Sequence, residues 1–363
     1  MSELEAFVRR MPKVELHIHL EGSIQPRTLL RLAERRGVSL PATDEQGLRE
    51  WFDFRDFEQF VQIYLTCCEC LRDPEDFQLV ARELLAEQSR QNVLCFEAHL
   101  TIGTHLANGV NGGEVADALG EVIREGEQKL GIRMRLIPDI VRNLGPSRAD
   151  QTLEWALDHR QHGVVALGLS GFESESDDPF AEHFQVAAKE ALGRVAHAGE
   201  HAGPESIRSV LEVCGVERVG HGISAVEDPE LMEKLCRDDI PLEVCPTSNI
   251  RLGAVADLPS HPFDRLLRAG VPVTLSTDDP PFFDTTLTDE YLRVAECFGY
   301  GESELAAIAG TALRKAFVTD GERQTLEDEF RRQLAELGEE LLGAPVDPAL
   351  EWPPVTERKA NSG

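Results

Sequence analysis

Eight short runs rich in β-branched and other apolar residues recur along the chain, each followed by a longer polar stretch with helical patterning. They are VELHIHLEG (14–22), VLCFEAHL (93–100), RMRLIPDI (133–140), VVALGLSG (164–171), RVAHAGE (194–200), RVGHGI (218–223), PLEVCPTS (241–248) and VPVTLSTDDP (271–280). Strands that alternate with helices pair in parallel, and eight such units are the number that closes a (β/α)8 TIM-type barrel of the α/β class. A length of 363 residues suits one such barrel with insertions. No internal repeat beyond the alternation and no second domain is visible. The expectation is one domain over residues 1–345, followed by a Pro-rich C-terminal tail, 346–363, without a core of its own.

The widest gap between runs, residues 23–92, contains FRDFEQFVQIYLTCCECLR, where Phe57, Phe60 and Tyr64 recur at i, i+3 and i+7 on one helical face. This predicts a helical insertion after the first strand, able to lie over the barrel mouth as a lid. Residues 302–342 predict additional C-terminal helices.

Charge excludes several partners. A net charge of −29 speaks against nucleic acid and anionic membranes, because both need a basic surface that releases counterions. No run approaches the roughly 18 uninterrupted apolar residues of a membrane span. The acidic start, MSELEAFVRRMPKVE, lacks the apolar segment of a secretory signal, so the expected location is cytoplasmic. Eight cysteines without a CxxC pair predict reduced, mostly buried thiols. Lysine occurs at only six positions (13, 129, 189, 234, 315, 359), leaving thirty arginines among the 36 basic residues. An acidic, lysine-poor surface suits a high-salt cytoplasm, and a GC-rich genome would favour arginine as well.

Polar residues crowd at the C-terminal ends of the runs, where barrel enzymes keep their chemistry. In HIHLEG, strand alternation turns His17, His19 and Glu21 to one side if Leu16, Ile18 and Leu20 pack outward. A His-x-His pair gives one metal ion two imidazoles; taken alone, it is equally a hydrogen-bonded pair in a core. His197 and Glu200 end the fifth run, His221 the sixth, and Asp278 with Asp279 the eighth. Each alone reads as a helix cap or a satisfied histidine. Four strand termini so equipped at one end can hold a divalent ion and leave a position for water, the arrangement of a catalytic site. His201 reads as a loop histidine, and His99 and His105 as mouth residues without a stronger role.

The ordered set HIHLEGS, VAHAGE, VGHG and LSTDDP resembles the adenosine deaminase family of metal-dependent amidohydrolases, over roughly residues 10–340. The resemblance implies that His17, His19, His197 and Asp278 ligate zinc. It implies that Glu200 shuttles protons and that His221 orients and supports the attacking hydroxide. Asp279 would pair with the purine N7, and Gly171, in LSGFE, would offer its backbone N–H to N3. Relatives with two metals use a carboxylated lysine from a barrel strand; no lysine here ends a run, so one zinc per chain is expected. The implied partner is a small-molecule purine, covered by the Phe57, Phe60 and Tyr64 face. The implied reaction is hydrolytic deamination of adenosine or 2′-deoxyadenosine to the inosine product and ammonia. Glu21, in HLEG where adenosine deaminases have HLDG, is the departure inside a motif and is expected to face the sugar side of the substrate. It keeps two alternatives open: adenine deaminase, and deaminase of a 5′-modified adenosine such as aminodeoxyfutalosine. A catalytically silent purine receptor would lack a ligand or the shuttle, and neither is missing.

Overall fold

All eight expected runs form strands, and all seven successive pairings are parallel, in chain order: β1 (Lys13–His19), β2 (Val93–Leu100), β3 (Arg133–Val141), β4 (Ala166–Ser170), β5 (Gly193–Ala198), β6 (Arg218–His221), β7 (Leu242–Val244) and β8 (Val273–Leu275). The circle closes where Ile18 bridges Asp278: His19 N donates to Asp278 O at 2.9 Å and Asp278 N to His17 O at 3.0 Å. The result is a (β/α)8 barrel in a computed structural model that describes residues 2–346. The tail expected from residue 346 lies outside the described residues except for Val346.

Strands β7 and β8 are shorter than their runs. In the seventh, Pro246 opens a helix, Pro246–Arg251, a position that suits its missing N–H and preset φ. In the eighth, Asp278 adopts a left-handed φ of 68° just beyond the ladder. That turn aims its side chain back across the barrel end.

The N-terminal helix α1 (Glu3–Arg10) precedes β1, and the expected insertion consists of α2 (Pro26–Arg36), α3 (Glu45–Phe52), α4 (Phe57–Cys70) and α5 (Pro74–Arg90). Sequence punctuates it clearly. Asp44 and Asp56 cap α3 and α4 by accepting from the backbone N–H of Gly47 and Gln59, and Pro74 sits in the first turn of α5. Helix α4 is two-faced: Ile63, Cys67 and Cys70 are buried in the core, while Phe57, Phe60 and Tyr64 are half-buried toward the mouth. The C-terminal helices Glu302–Lys315 and Asp320–Leu342 appear as expected; the first packs on β8 and β1 and the second buries Phe330, Leu334 and Leu337. None of the eight cysteines is in a disulfide, and six are buried. Among the described residues no helix is long and apolar enough to cross a membrane.

Candidate active site

A cavity of about 440 Å³ opens at the C-terminal ends of the strands. Its floor holds His19, His197, His221, Glu200, Asp278 and Asp279; Gly171 lies at one side and Phe57, Phe60 and Tyr64 of α4 form the roof. Every residue expected at the site except His17 and Glu21 therefore lines one space. His17 lies directly beneath, fully buried, with its ring against Gly220, where a Cβ would fall 2.7 Å from His17 Cε1.

The hydrogen-bond partners assign the ring protons. His17 Nδ1 meets Glu243 Oε2 at 2.9 Å, so Nδ1 carries hydrogen and the buried, unpartnered Nε2 keeps its lone pair. His197 Nδ1 donates to Leu169 O at 3.2 Å, which likewise frees Nε2. His19 Nε2 stands 3.2 Å from His197 Nε2 and 3.2 Å from Asp278 Oδ1. Asp278 Oδ2 accepts from Ser248 Oγ at 2.6 Å, turning Oδ1 toward His19 and, at 3.7 Å, His17 Nε2. Three imidazole nitrogens and one carboxylate oxygen thus gather here; His17 Nε2 has no hydrogen-bond partner, and His197 Nε2 meets only His19 Nε2. This donor set fits one divalent cation.

The ligand atoms that all lie within 4.8 Å of one another are those of His17, His197, His221 and Asp278, with His221 where the expectation had His19, but the His221 tautomer differs. Asn249 Oδ1 lies 3.2 Å from His261 Nε2, which fixes the amide so that Nδ2 faces both His221 Nδ1 (3.2 Å) and Glu200 Oε1 (3.3 Å). His221 Nδ1 is then an acceptor, and Nε2, 3.6 Å from Glu200 Oε2, bears the proton. Burial, with His17 nearby, pushes this imidazole down to about 3 and keeps it neutral. His221 sits at a left-handed φ of 60°, strain of the kind that gathers at working sites.

Burial, reinforced by the charges of Asp278 and Glu173, pushes the Glu200 carboxyl well above the usual range. Asp279 is raised by burial and by Asp278, and its Oδ1 is buried without a partner. Asp279 can approach this closely because position 22 is glycine: a Cβ there would fall 1.5 Å from Asp279 Oδ1. The site thus holds two carboxyl groups whose neutral forms burial favours, beside a third, Asp278, that the neighbouring imidazoles hold ionised.

Glu21 is placed differently from the expectation. Strand β1 ends at His19 and a 3-10 turn, Glu21–Ser23, follows, so two-residue alternation no longer governs position 21. Its Oε1 accepts from Thr101 N (2.8 Å), Thr101 Oγ1 (2.7 Å) and His105 Nε2 (2.9 Å) in the buried wall. His105 thereby gains a role in holding Glu21, and His99 is held by Asp139 at 2.9 Å. His201 borders the cavity against the Phe57 ring, 4.6 Å between centroids.

Sequence reading missed Asn249 and Ser248, although PLEVCPTSN contains both, and it missed Glu173, the last residue of the quoted LSGFE. The Glu173 carboxylate accepts from the backbone N–H of Gly199, Glu200 and His201 at 2.6–3.0 Å and so shapes the HAGE loop. A run of three free N–H groups in a glycine-bearing loop is the signal that an anchoring carboxylate is required.

A family model described as Adenosine deaminase matches residues 12–333. The aminodeoxyfutalosine deaminase of Streptomyces coelicolor is 37% identical over 331 residues, 90% of this chain and 86% of that protein. The adenine deaminase of Vibrio parahaemolyticus is 35% identical over 318 residues, 87% of this chain and 94% of that one. Among solved structures, the adenine deaminase AAur1117 from Arthrobacter aurescens superposes with a TM-score of 0.84 at 31% identity, covering 89% of this chain and 98% of that chain.

Proposed function

The chain belongs to the adenosine deaminase family, and from that premise we propose that it removes the 6-amino group of an adenine-type substrate by hydrolysis at one zinc ion. The observation that supports the reading is the gathering of His17, His197, His221 and Asp278 within 4.8 Å of one another, with His19 3.2 Å from both His197 and Asp278, beside Glu200 at the floor of a purine-sized or larger cavity. Zinc bound there would supply Lewis acidity and an activated nucleophile at neutral pH.

The protein residues do the rest. Glu200, kept protonated by its buried surroundings, gives its proton to the purine N1; the resulting carboxylate then takes the proton of the hydroxyl added at C6 and hands it to the departing amine, and the next water restores the proton on Glu200. The His221 Nε2–H, which faces Glu200, would be placed to support the nucleophile and its developing charge. Asp279, whose neutral form is favoured, donates to N7, and the Gly171 N–H meets N3. Gly171 has a φ of 89°, which an L side chain resists, and a Cβ would crowd Asn143 Oδ1 at 2.6 Å. Helix α4 shields the reacting centre from water.

The expected preference for adenosine is corrected. The similar proteins are named for adenine and aminodeoxyfutalosine, so the readings held as alternatives are the better supported. Between those two, the roomy aromatic cavity favours a 5′-modified nucleoside over the free base. The lining contains neither lysine nor arginine, so a 5′-phosphate would meet no cation there. The test is ammonia release from adenine, adenosine, aminodeoxyfutalosine and AMP, before and after removal of zinc by a chelator and its return. The expected order places aminodeoxyfutalosine first and AMP last, with activity lost and regained with zinc. Failure to deaminate any of the four would overturn the reading.

A further inference from the structure

Below the site a line of buried charges crosses the barrel. Arg218, on β6, is 1% exposed. Its Nη2 meets Glu97 Oε2 of β2 at 2.6 Å and its Nε meets Glu243 Oε1 of β7 at 2.6 Å. The other oxygen of Glu243 takes the His17 Nδ1–H at 2.9 Å. On the far side, Arg218 Nη1 donates to Lys315 O at 3.0 Å and the guanidinium covers the Phe317 ring at 3.9 Å. The Phe317 N–H donates to Glu97 Oε1.

Stability alone does not account for this design. One buried carboxylate would neutralise Arg218, and a second one adds desolvation cost in a core that apolar side chains could fill. The second carboxylate is the one that reaches His17, at the ring nitrogen opposite the lone pair facing Asp278. Two carboxylates around one guanidinium also leave a unit of negative charge, which suits a line that ends at a cation.

We infer that Glu243 is a positioning residue for the metal ligand His17, and that Arg218 and Glu97 hold Glu243 in place. Glu243 keeps the proton on His17 Nδ1, sets the ring plane and strengthens Nε2 as a donor. Arg218 holds the Glu243 carboxylate by a buried ion pair, and Glu97 with the Phe317 ring keeps the guanidinium from turning away. The inference rests on the reading that His17 binds zinc.

The experiment measures zinc affinity of the folded, zinc-free protein by competition with a chromophoric chelator, alongside the visible spectrum of the cobalt-substituted form. Glu243→Gln is expected to weaken zinc binding by about 10- to 100-fold and to alter the cobalt bands, because the acceptor loses its charge. Glu243→Asp, which keeps the charge, should retain more affinity than Glu243→Gln, and Glu97→Gln, one step further away, should weaken binding by less than about tenfold. Wild-type affinity and spectrum in Glu243→Gln, or no advantage of Glu243→Asp over it, would overturn the inference. Should Glu243→Gln not fold, Glu97→Gln and Glu243→Asp carry the test, and wild-type affinity in both overturns it. His17→Ala separates the two readings. If it leaves zinc affinity unchanged, the ligand assignment fails; if it weakens binding while Glu243→Gln does not, only the positioning role fails.

Discussion

At the scale of single residues the site works by separating three neighbouring carboxyl groups. Asp278 is held ionised by His19 and the other imidazoles, whereas burial and the Asp278 charge push Glu200 and Asp279 toward their neutral forms. The shuttle role proposed for Glu200 needs a proton to give, and the ionised Asp278 beside it favours Glu200 keeping one. Glu200→Gln keeps the shape and a partner for Asn249 while removing the transferable proton. We predict a kcat at least about a thousandfold lower with zinc content unchanged. Steady-state kinetics with elemental analysis checks this, and turnover near wild type would remove Glu200 from the mechanism.

At the scale of elements, α4 matters most. Its outer face could have been solvent; instead Phe60 stacks on Phe283 (5.7 Å between centroids, 20° between planes), Phe57 meets Phe172 edge-on at 5.7 Å, and Tyr64 stands over His19 at 6.1 Å. The helix is therefore anchored by its buried stripe and lines the cavity with the other. Phe60→Ala should raise KM by about tenfold or more while kcat changes little, since it removes contact surface rather than a group acting on the reacting atoms. A matched fall in kcat with an unchanged KM would show that α4 acts on the chemistry instead. Strand β1 carries a different consequence. Lys13, at its start, is buried, with Nζ donating to Met11 O and Gln91 O at 3.0 Å each. Burial, with some repulsion from Arg9, pushes it down to about 7 from 10.5. Between those values the unfolded chain holds a proton that the folded one has released, so unfolding becomes harder as pH rises through this window. Relative to Lys13→Met, the wild type should gain on the order of 1 kcal/mol per pH unit between pH 7 and 9. Parallel denaturation curves at the two pH values test this, and a constant gap would mean that Lys13 stays charged in the fold.

At the scale of the whole molecule, a net charge of −29 is spread over a surface whose local pairs are mostly short-range, such as Arg332 between Glu329 and Glu336. Such exposed pairs contribute little, so the long-range repulsion is left to the solvent. The Debye length shrinks from about 10 Å at 0.1 M salt to about 3 Å at 1 M. We predict that Tm rises with KCl over that interval. A flat profile would reduce the arginine-rich, lysine-poor composition to a matter of coding preference. The first and last described helices meet on this surface, where Arg10 of α1 pairs with Glu340, so the N-terminal helix is expected to share the same salt response.

The sequence alone determined the barrel, the end of it that carries the chemistry, and the face of α4 that covers it. These follow from short-range patterns: a strand alternates, a helix repeats near every third or fourth residue, and a polar cluster at each strand's end marks one rim. Tertiary structure alone decided which polar groups touch. His17 and Glu243 are 226 residues apart, and Asn249 lies 49 from Glu200 and 28 from His221. No local pattern encodes such contacts, because they exist only once the strands close at one register. Glu21 shows the limit from the other side. Two-residue alternation is a property of the extended chain, and the chain stops being extended at His19, where the closing bond to Asp278 leaves the next residues free to turn into the wall.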